Sequence, residues 1–192
     1  AIGSDRGDVL GVSFISFLAP GLIAMQVIQQ SFSHSSSSFM IGKIQGNIVD
    51  LLYAPLSATE VTISISLAAA TRSIVIAIIS IITFYFLVDI EIKYPLLLFI
   101  FTFLTSFILG NIGIISGLWA EKFDHQATIT NFVIVPLSFL SGTFYSIERL
   151  PNILKMISQV NPFFYMIDGF RYCFIGQSDG SIKIGIIYLI VL

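Results

Sequence analysis

The sequence predicts an all-α fold, a polytopic helical bundle set in a membrane, on three observations. Of 192 residues, 56% are hydrophobic and only 10% are charged, where a soluble domain carries roughly 25% charge. The mean hydropathy is +0.95. The nine basic and eleven acidic residues are bunched between long uncharged stretches rather than dispersed as a soluble surface requires. Helices are the spanning element because lipid offers unpaired backbone groups no partner, and the alternating pattern of a membrane barrel strand is absent.

Crossing a hydrocarbon core of roughly 30 Å takes about 20 mostly apolar residues, and four stretches meet that length. Residues 9–30 carry no charge and contain Pro20 and Gly21. Residues 63–88 are apolar apart from Arg72, placed near the start of the span, where its side chain can snorkel to the interface. Residues 94–120 and 126–147 have no charged residue that interrupts them. A fifth apolar run, 184–192, is the expected start of a truncated span, so the chain is expected to be an interior fragment. Pro20 and Pro136 are kink candidates. Gly110, Gly113 and Gly117 fall three and four apart, a helix-packing face that includes a G-x-x-x-G match. Gln26, Gln29 and Gln30 close the first span, where a helix meets water or lines a polar path.

Two stretches outside the spans have patterns of their own. In the connection 31–62, residues 31–38 are serine-rich and suit a flexible exit or a frayed helix end. Ile44, Ile48, Leu51 and Leu52 then follow helical spacing, with Lys43, Gln45, Asn47 and Asp50 on other faces. This short amphipathic helix must stop at Ala54, because a residue before proline avoids the helical region. Ser57 and Glu60 have capping-box spacing and open the next helix. In 150–176, Pro151 suits a first helical turn. Ile153, Leu154, Ile157 and Val160 form an apolar stripe opposite Asn152, Lys155, Ser158 and Gln159. Asn161 and Pro162 break the chain direction, and Asp168 and Arg171 fall three apart, within pairing distance on one helical face. The pattern is that of a re-entrant hairpin or of one lying flat in the interface.

Several function classes are excluded. A net charge of −2 provides no basic footprint for nucleic acid. One cysteine, Cys173, excludes an internal disulfide and a multi-cysteine metal cage, and it suits a small core position. There is no phosphate-binding loop and no H-E-x-x-H, and there is no nucleophile elbow. His34 and His125 are placed in loops without zinc-ligand spacing, His125 beside Glu121 and Asp124. No catalytic residue and no metal ligand is therefore assigned. With almost no ionisable groups inside the spans, ion-driven transport loses its usual proton or sodium sites.

The stretch PLSFLSGTFYS from Pro136, Leu150 with Pro151, Asn161 with Pro162, and DGFRYxxxG from Asp168 to Gly176 resemble ABC-2 type transporter permeases, closest to the bacterial inner-membrane transport permease subgroup. DLLYAPLSATE from Asp50 to Glu60 is similar to that family's cytoplasmic loop after its second span. The resemblance covers nearly the whole chain. It implies six spans per subunit, with the first missing here and the last truncated, in a multi-pass protein of the bacterial inner membrane. It implies a coupling helix at 44–56, with Lys43, Asn47, Asp50, Tyr53, Pro55 and Glu60 in the ATPase-coupling loop. It also implies extracellular re-entrant helices at 150–176, with Pro151, Asn161, Pro162, Asp168 and Arg171 shaping an outer gate.

The implied partners are a separate cytoplasmic ABC ATPase, a second permease subunit (a homodimer is expected) and membrane lipids. No cofactor is expected on this chain, ATP and Mg belonging to the partner. The implied function is export of a cargo by ATP-driven conformational change, the chain itself not being an enzyme. Eighteen phenylalanines against one tryptophan, Trp119, offer no sugar-stacking platform, which favours a hydrophobic cargo over a long glycan. This orientation puts Lys43, Arg72 and Lys122 inside but Arg6, Lys93, Arg149, Lys155, Arg171 and Lys183 outside, against the charge bias of most membrane proteins. A membrane-embedded lipid-modifying enzyme acting at 150–176, or a non-transporting scaffold, are the alternatives.

Overall fold

A computed structural model describes residues 9–88, 90–147 and 151–191, apart from the side chain of Leu52. The expectations placed on Arg6, Arg149, Leu150 and Leu192 lie outside the described residues. Among those residues the regular structure is helical, with one isolated bridge between Val9 and Val12.

Helix α1, Phe14–Gln45, begins at Ser13, whose hydroxyl accepts the Ser16 N–H at 3.3 Å. It ends at Gly46 in the left-handed region (φ +78°), a backbone that costs glycine little. Its 32 residues give about 48 Å of helix at ~1.5 Å each, well beyond a hydrocarbon core. The serine-rich run 31–38 is therefore neither a flexible exit nor a frayed end: it is helix interior. Four of its serines bond their hydroxyls to the helix itself, Ser31 donating to Val27 O at 2.6 Å and Ser38 to His34 O at 2.7 Å, while Ser35 Oγ is buried without a partner among the described residues. Their small size brings a neighbouring helix close, and that packing outweighs weak helix propensity. For the same reason Gln26, Gln29 and Gln30 lie inside a helix rather than at its end, and His34 is helical rather than in a loop.

Helix α2, Ile48–Tyr53, is the short helix of the connection, and Ala54 turns extended (ψ 142°) before Pro55. Helix α3, Ala58–Tyr85, opens on the capping box: Ser57 Oγ accepts Glu60 N–H at 3.3 Å, and Glu60 Oε2 accepts Ser57 N–H at 2.7 Å. Arg72 is not near the start of this helix. It lies about 21 Å from Ala58 at ~1.5 Å per residue, close to the midpoint, because the helix begins several residues before the apolar run. Helix α4, Pro95–Trp119, starts with proline in its first turn.

The fourth apolar stretch is segmented. Helix α5, Phe123–Ile129, passes into a π-helical turn, Thr130–Ile134, and then into α6, Val135–Leu140. Val135 N–H reaches back five residues to Thr130 O, the wider turn that relieves a proline ring of its clash with the carbonyl four residues earlier. Pro136 is thus accommodated by a bulge. The helix stops at Leu140, short of the expected 147, and residues 141–147 form turns.

Beyond it, α7, Asn152–Val160, and α8, Pro162–Ile175, flank an extended Asn161. Helix α9, Ile182–Val191, closes the described chain. Helix α1 is the centre of the bundle and touches α3, α4 and α8. Among the described residues three helices, α1, α3 and α4, are long and apolar enough to cross a membrane. Helix α8 is buried among α1, α4 and α9, whereas α7 exposes its apolar stripe, with Ile153 and Val160 about three-quarters exposed.

Candidate functional site

The seam between α1 and α4 sets the geometry of everything else. A methyl group added at Gly113 would lie 2.5 Å from Phe32 O, and one at Gly117 would lie 2.8 Å from Ser36 O. At Gly110 the nearest atom is Ala69 Cβ at 3.3 Å. The first two glycines therefore let the backbones of α1 and α4 touch, and Gly110 faces both α1 and α3.

At one end of the bundle, α2 lies over the end of α1, the start of α3 and the end of α4. Lys43 extends its ammonium to Gly117 O at 2.8 Å, Ala120 O at 3.0 Å and Leu118 O. These are orphan carbonyls at the C-terminus of α4, where a cation also meets the negative end of the helix dipole. Glu60 is held by Ser57 alone, accepting its N–H and its hydroxyl at 2.8 Å. Asn47 precedes α2 without capping it and donates to Gln45 Oε1 at 3.2 Å. Asp50, Tyr53 and Pro55 are exposed, Tyr53 to 86%. A groove of about 530 Å³ beneath α2 is lined by Ile48, Leu51, Leu56, Val61 and Leu118. The six residues expected on one coupling surface thus divide: Lys43 and Glu60 build the helix ends, Asn47 stays in the turn before α2, and Asp50, Tyr53 and Pro55 project. His125 lies in the first turn of α5 rather than in a loop, its ring 5.6 Å from that of Trp119.

At the other end, Asp168 and Arg171 do not pair with each other. Asp168 accepts the N–H groups of Asp179 and Gly180, both at 3.0 Å. Arg171 is fully buried and donates to Gly142 O at 2.6 Å and Thr143 O at 3.4 Å, with its guanidinium 3.9 Å above the Phe17 ring. Turn carbonyls and an aromatic face are the groups in contact with the charge, and the carboxylates of Asp168 and Asp179 act on it from beyond hydrogen-bond distance. Gly21 leaves the room for this: a methyl there would meet Thr143 O at 2.8 Å and Arg171 Nη2 at 3.0 Å. Asn161 caps α8 by accepting Phe163 N–H at 3.0 Å and donates to Ser141 Oγ at 2.8 Å and Leu137 O at 3.2 Å. Pro162 fills the first turn of α8, and Pro151 precedes α7.

Asp179, which sequence reasoning did not single out, accepts Ser146 Oγ at 2.6 Å and Ile147 N–H at 3.0 Å. It ties the turn held by Asp168 to the segment held by Arg171. Lys93 performs on α8 what Lys43 performs on α4, donating to Ile175 O while its own N–H meets Cys173 O at 2.9 Å. The two carboxylates bonded in the hairpin, Asp168 and Asp179, are both committed to donors. Among the described residues no group of three or more histidine, cysteine or carboxylate side chains could hold a metal ion.

Long apolar helices, a capped loop at one end and a helical hairpin folded into the other define a multi-pass membrane domain. Residues 5–175 match the family model described as ABC-2 type transporter. The chain is 34% identical over 178 residues to the inner membrane transport permease YadH of Escherichia coli K12, covering 93% of this chain and 70% of that one. It is 27% identical to nodulation protein J of Rhizobium leguminosarum bv. viciae (99% and 75% covered) and 24% identical to that of Neorhizobium galegae (100% and 74%). No solved structure matches. The chain belongs to the ABC-2 type transporter family. It is the membrane subunit of a transporter and a multi-pass protein of the bacterial inner membrane.

Proposed function

We propose that this subunit exports its cargo by an ATP-driven movement of a permease homodimer, each copy engaged by a cytoplasmic ABC ATPase that carries the ATP and Mg. The observation that supports this most is the construction of the α2 end. Tyr53, Asp50 and Val49 project from a six-residue helix bounded by the Gly46 turn on one side and by Pro55 and the Ser57–Glu60 capping box on the other. Lys43 fastens the same end to α4. A force on α2 is thereby delivered to α1, α3 and α4 together, where a flexible loop would absorb it.

ATP binding draws the two ATPases together, α2 is displaced, and the long helices tilt at the subunit interface. Such coupling requires the ATPase to contact the two permease states differently, and the exposed Tyr53 ring and Asp50 charge of α2 are the groups that can make that difference. The hairpin of α7 and α8 forms the outer gate in this reading, pinned by Asn161, Asp168 and Arg171.

The test uses the full-length protein co-expressed with the ATPase encoded beside it and reconstituted in vesicles. Co-purification with the wild type, together with hydrolysis that no longer responds to the permease in a Tyr53→Ser, Pro55→Gly variant, is the expected result. An ATPase that does not bind the wild type would overturn the proposal.

A further inference from the structure

Arg72 is the one charged residue in α3 beyond its first turn, and α4 has none. It sits about 21 Å from Ala58 and about 20 Å from Tyr85 at ~1.5 Å per residue, which is mid-membrane for a spanning helix. Its side chain is exposed on the bundle surface. Its one hydrogen bond among the described residues joins Nη1 to His34 Nδ1 at 3.0 Å.

A guanidinium has five N–H donors and no acceptor, so a single bond to an imidazole leaves most of the fork unsatisfied. An intramembrane charge in that condition is costly and marks a functional site. Beside it, α1 presents a polar stripe: Gln26, Gln30, Ser33 and Ser37 fall four, three and four apart on one face, exposed or half-buried. Gln26 accepts Ser80 Oγ at 3.0 Å, which carries the stripe across to α3.

Among the described residues no carboxylate bonds to Arg72. Asp50, Glu121 and Asp124 lie in or beside α2 and α5 at one end of the bundle, Glu60 is closed in its capping box, Glu91 lies in the connection after α3, and Asp168 and Asp179 are bonded at that same far end. A second copy of these residues would bring the same set. With none of the described carboxylates at Arg72, a bound molecule is the counter-charge to test.

We propose that Arg72 and His34 form an intramembrane oxyanion-binding site that takes the phosphate of an anionic amphiphile. The planar fork matches phosphate geometry, and Ser33 and Ser37 lie on the helix face adjoining His34. Apolar α3 residues around Arg72, among them Val75 and Ile79, both half or more exposed, suit the acyl chains. Binding itself is independent of the export reading. That the bound amphiphile represents the cargo class rests on it.

The experiment is native mass spectrometry of the full-length protein titrated with phosphatidic acid, with diacylglycerol of the same acyl chains, and with inorganic phosphate. Wild type is expected to prefer phosphatidic acid over diacylglycerol at least about tenfold, the scale of one charge-assisted contact. The preference is expected to fall below about twofold in Arg72→Gln, and several-fold in Arg72→Lys and His34→Ala. The lysine variant, which keeps the charge and loses the fork, carries the test if the glutamine variant does not fold. Displacement of phosphatidic acid by millimolar phosphate assigns the site to free oxyanions; failure to displace it assigns the site to lipid-borne ones. Equal binding of the two lipids by wild type, or an undiminished preference in the Arg72 variants, would overturn the site. Loss of the ATPase from the preparation bears on export alone and leaves this result unaffected.

Discussion

Lys43 Nζ lies 2.8 Å from the carbonyl oxygen of Gly117, 74 residues further along the chain, and 3.0 Å from that of Ala120. The contact joins the C-terminal end of α1 to the end of α4 at the site where the glycine seam brings the two helices together. Lys43 is therefore a helix cap that fastens the end of α1 to the end of α4.

Removing that cap should cost stability without removing a docking surface. Lys43→Met leaves the end of α4 without its cation, a loss of about 1–3 kcal/mol for a charged donor on backbone carbonyls. Thermal unfolding of the purified protein measures it. The ATPase should still co-purify with the folded fraction, whereas Tyr53→Ser should weaken co-purification and leave the unfolding temperature nearly unchanged.

The seam predicts a graded series. Gly113→Ala forces its methyl to within 2.5 Å of Phe32 O, a backbone atom that cannot swing aside, whereas Gly110→Ala meets Ala69 Cβ at 3.3 Å. Overpacking of the first kind costs about 1–3 kcal/mol. Unfolding temperatures in one detergent should rank wild type, then Gly110→Ala, then Gly113→Ala. A reversed order would mean that α1 and α4 are not in backbone contact there.

The capping box allows a local test. Ser57→Ala removes the acceptor of Glu60 N–H and one of the two Ser57 donors that Glu60 uses, at a cost of about 1 kcal/mol. Hydrogen exchange should quicken in the first turn of α3 and stay unchanged near Arg72, two-and-a-half turns or more away. Ser57→Thr keeps the hydroxyl and should restore protection.

What was legible in the sequence was local. Ser57 with Glu60, Ala54 before Pro55, and Asn161 before Pro162 each declare a boundary through residues three apart or fewer, and each stands in the structure as a cap or an extended break. The serine run misled because its helical state depends on α4, whose glycines lie some 80 positions away. Asp168 and Arg171 misled in the opposite sense: three-residue spacing allows pairing, but the partners that hold them, Asp179 N–H, Gly180 N–H, Gly142 O and Thr143 O, are set by the way α8 folds against its neighbours. Backbone partners leave no mark in the sequence, and neither does the room that Gly21 provides.

That difference in partners yields the sharpest expectation for the hairpin. If Asp168 and Arg171 served mainly each other, replacing both would be milder than the sum of the two single changes. Here Asp168→Asn weakens its hold on the turn at Asp179 and Gly180, and Arg171→Met strands two turn carbonyls and empties the face of Phe17. Each single change should cost about 2–4 kcal/mol, in the range for stranding buried partners of a charged group. Asp179→Asn should resemble Asp168→Asn, because Asp179 binds Ser146 and Ile147 from that same turn. A double-mutant cycle of unfolding free energies measures the coupling. It should place Asp168 closer to Asp179 than to Arg171, and a larger Asp168–Arg171 term would restore the ion pair that the spacing alone suggests.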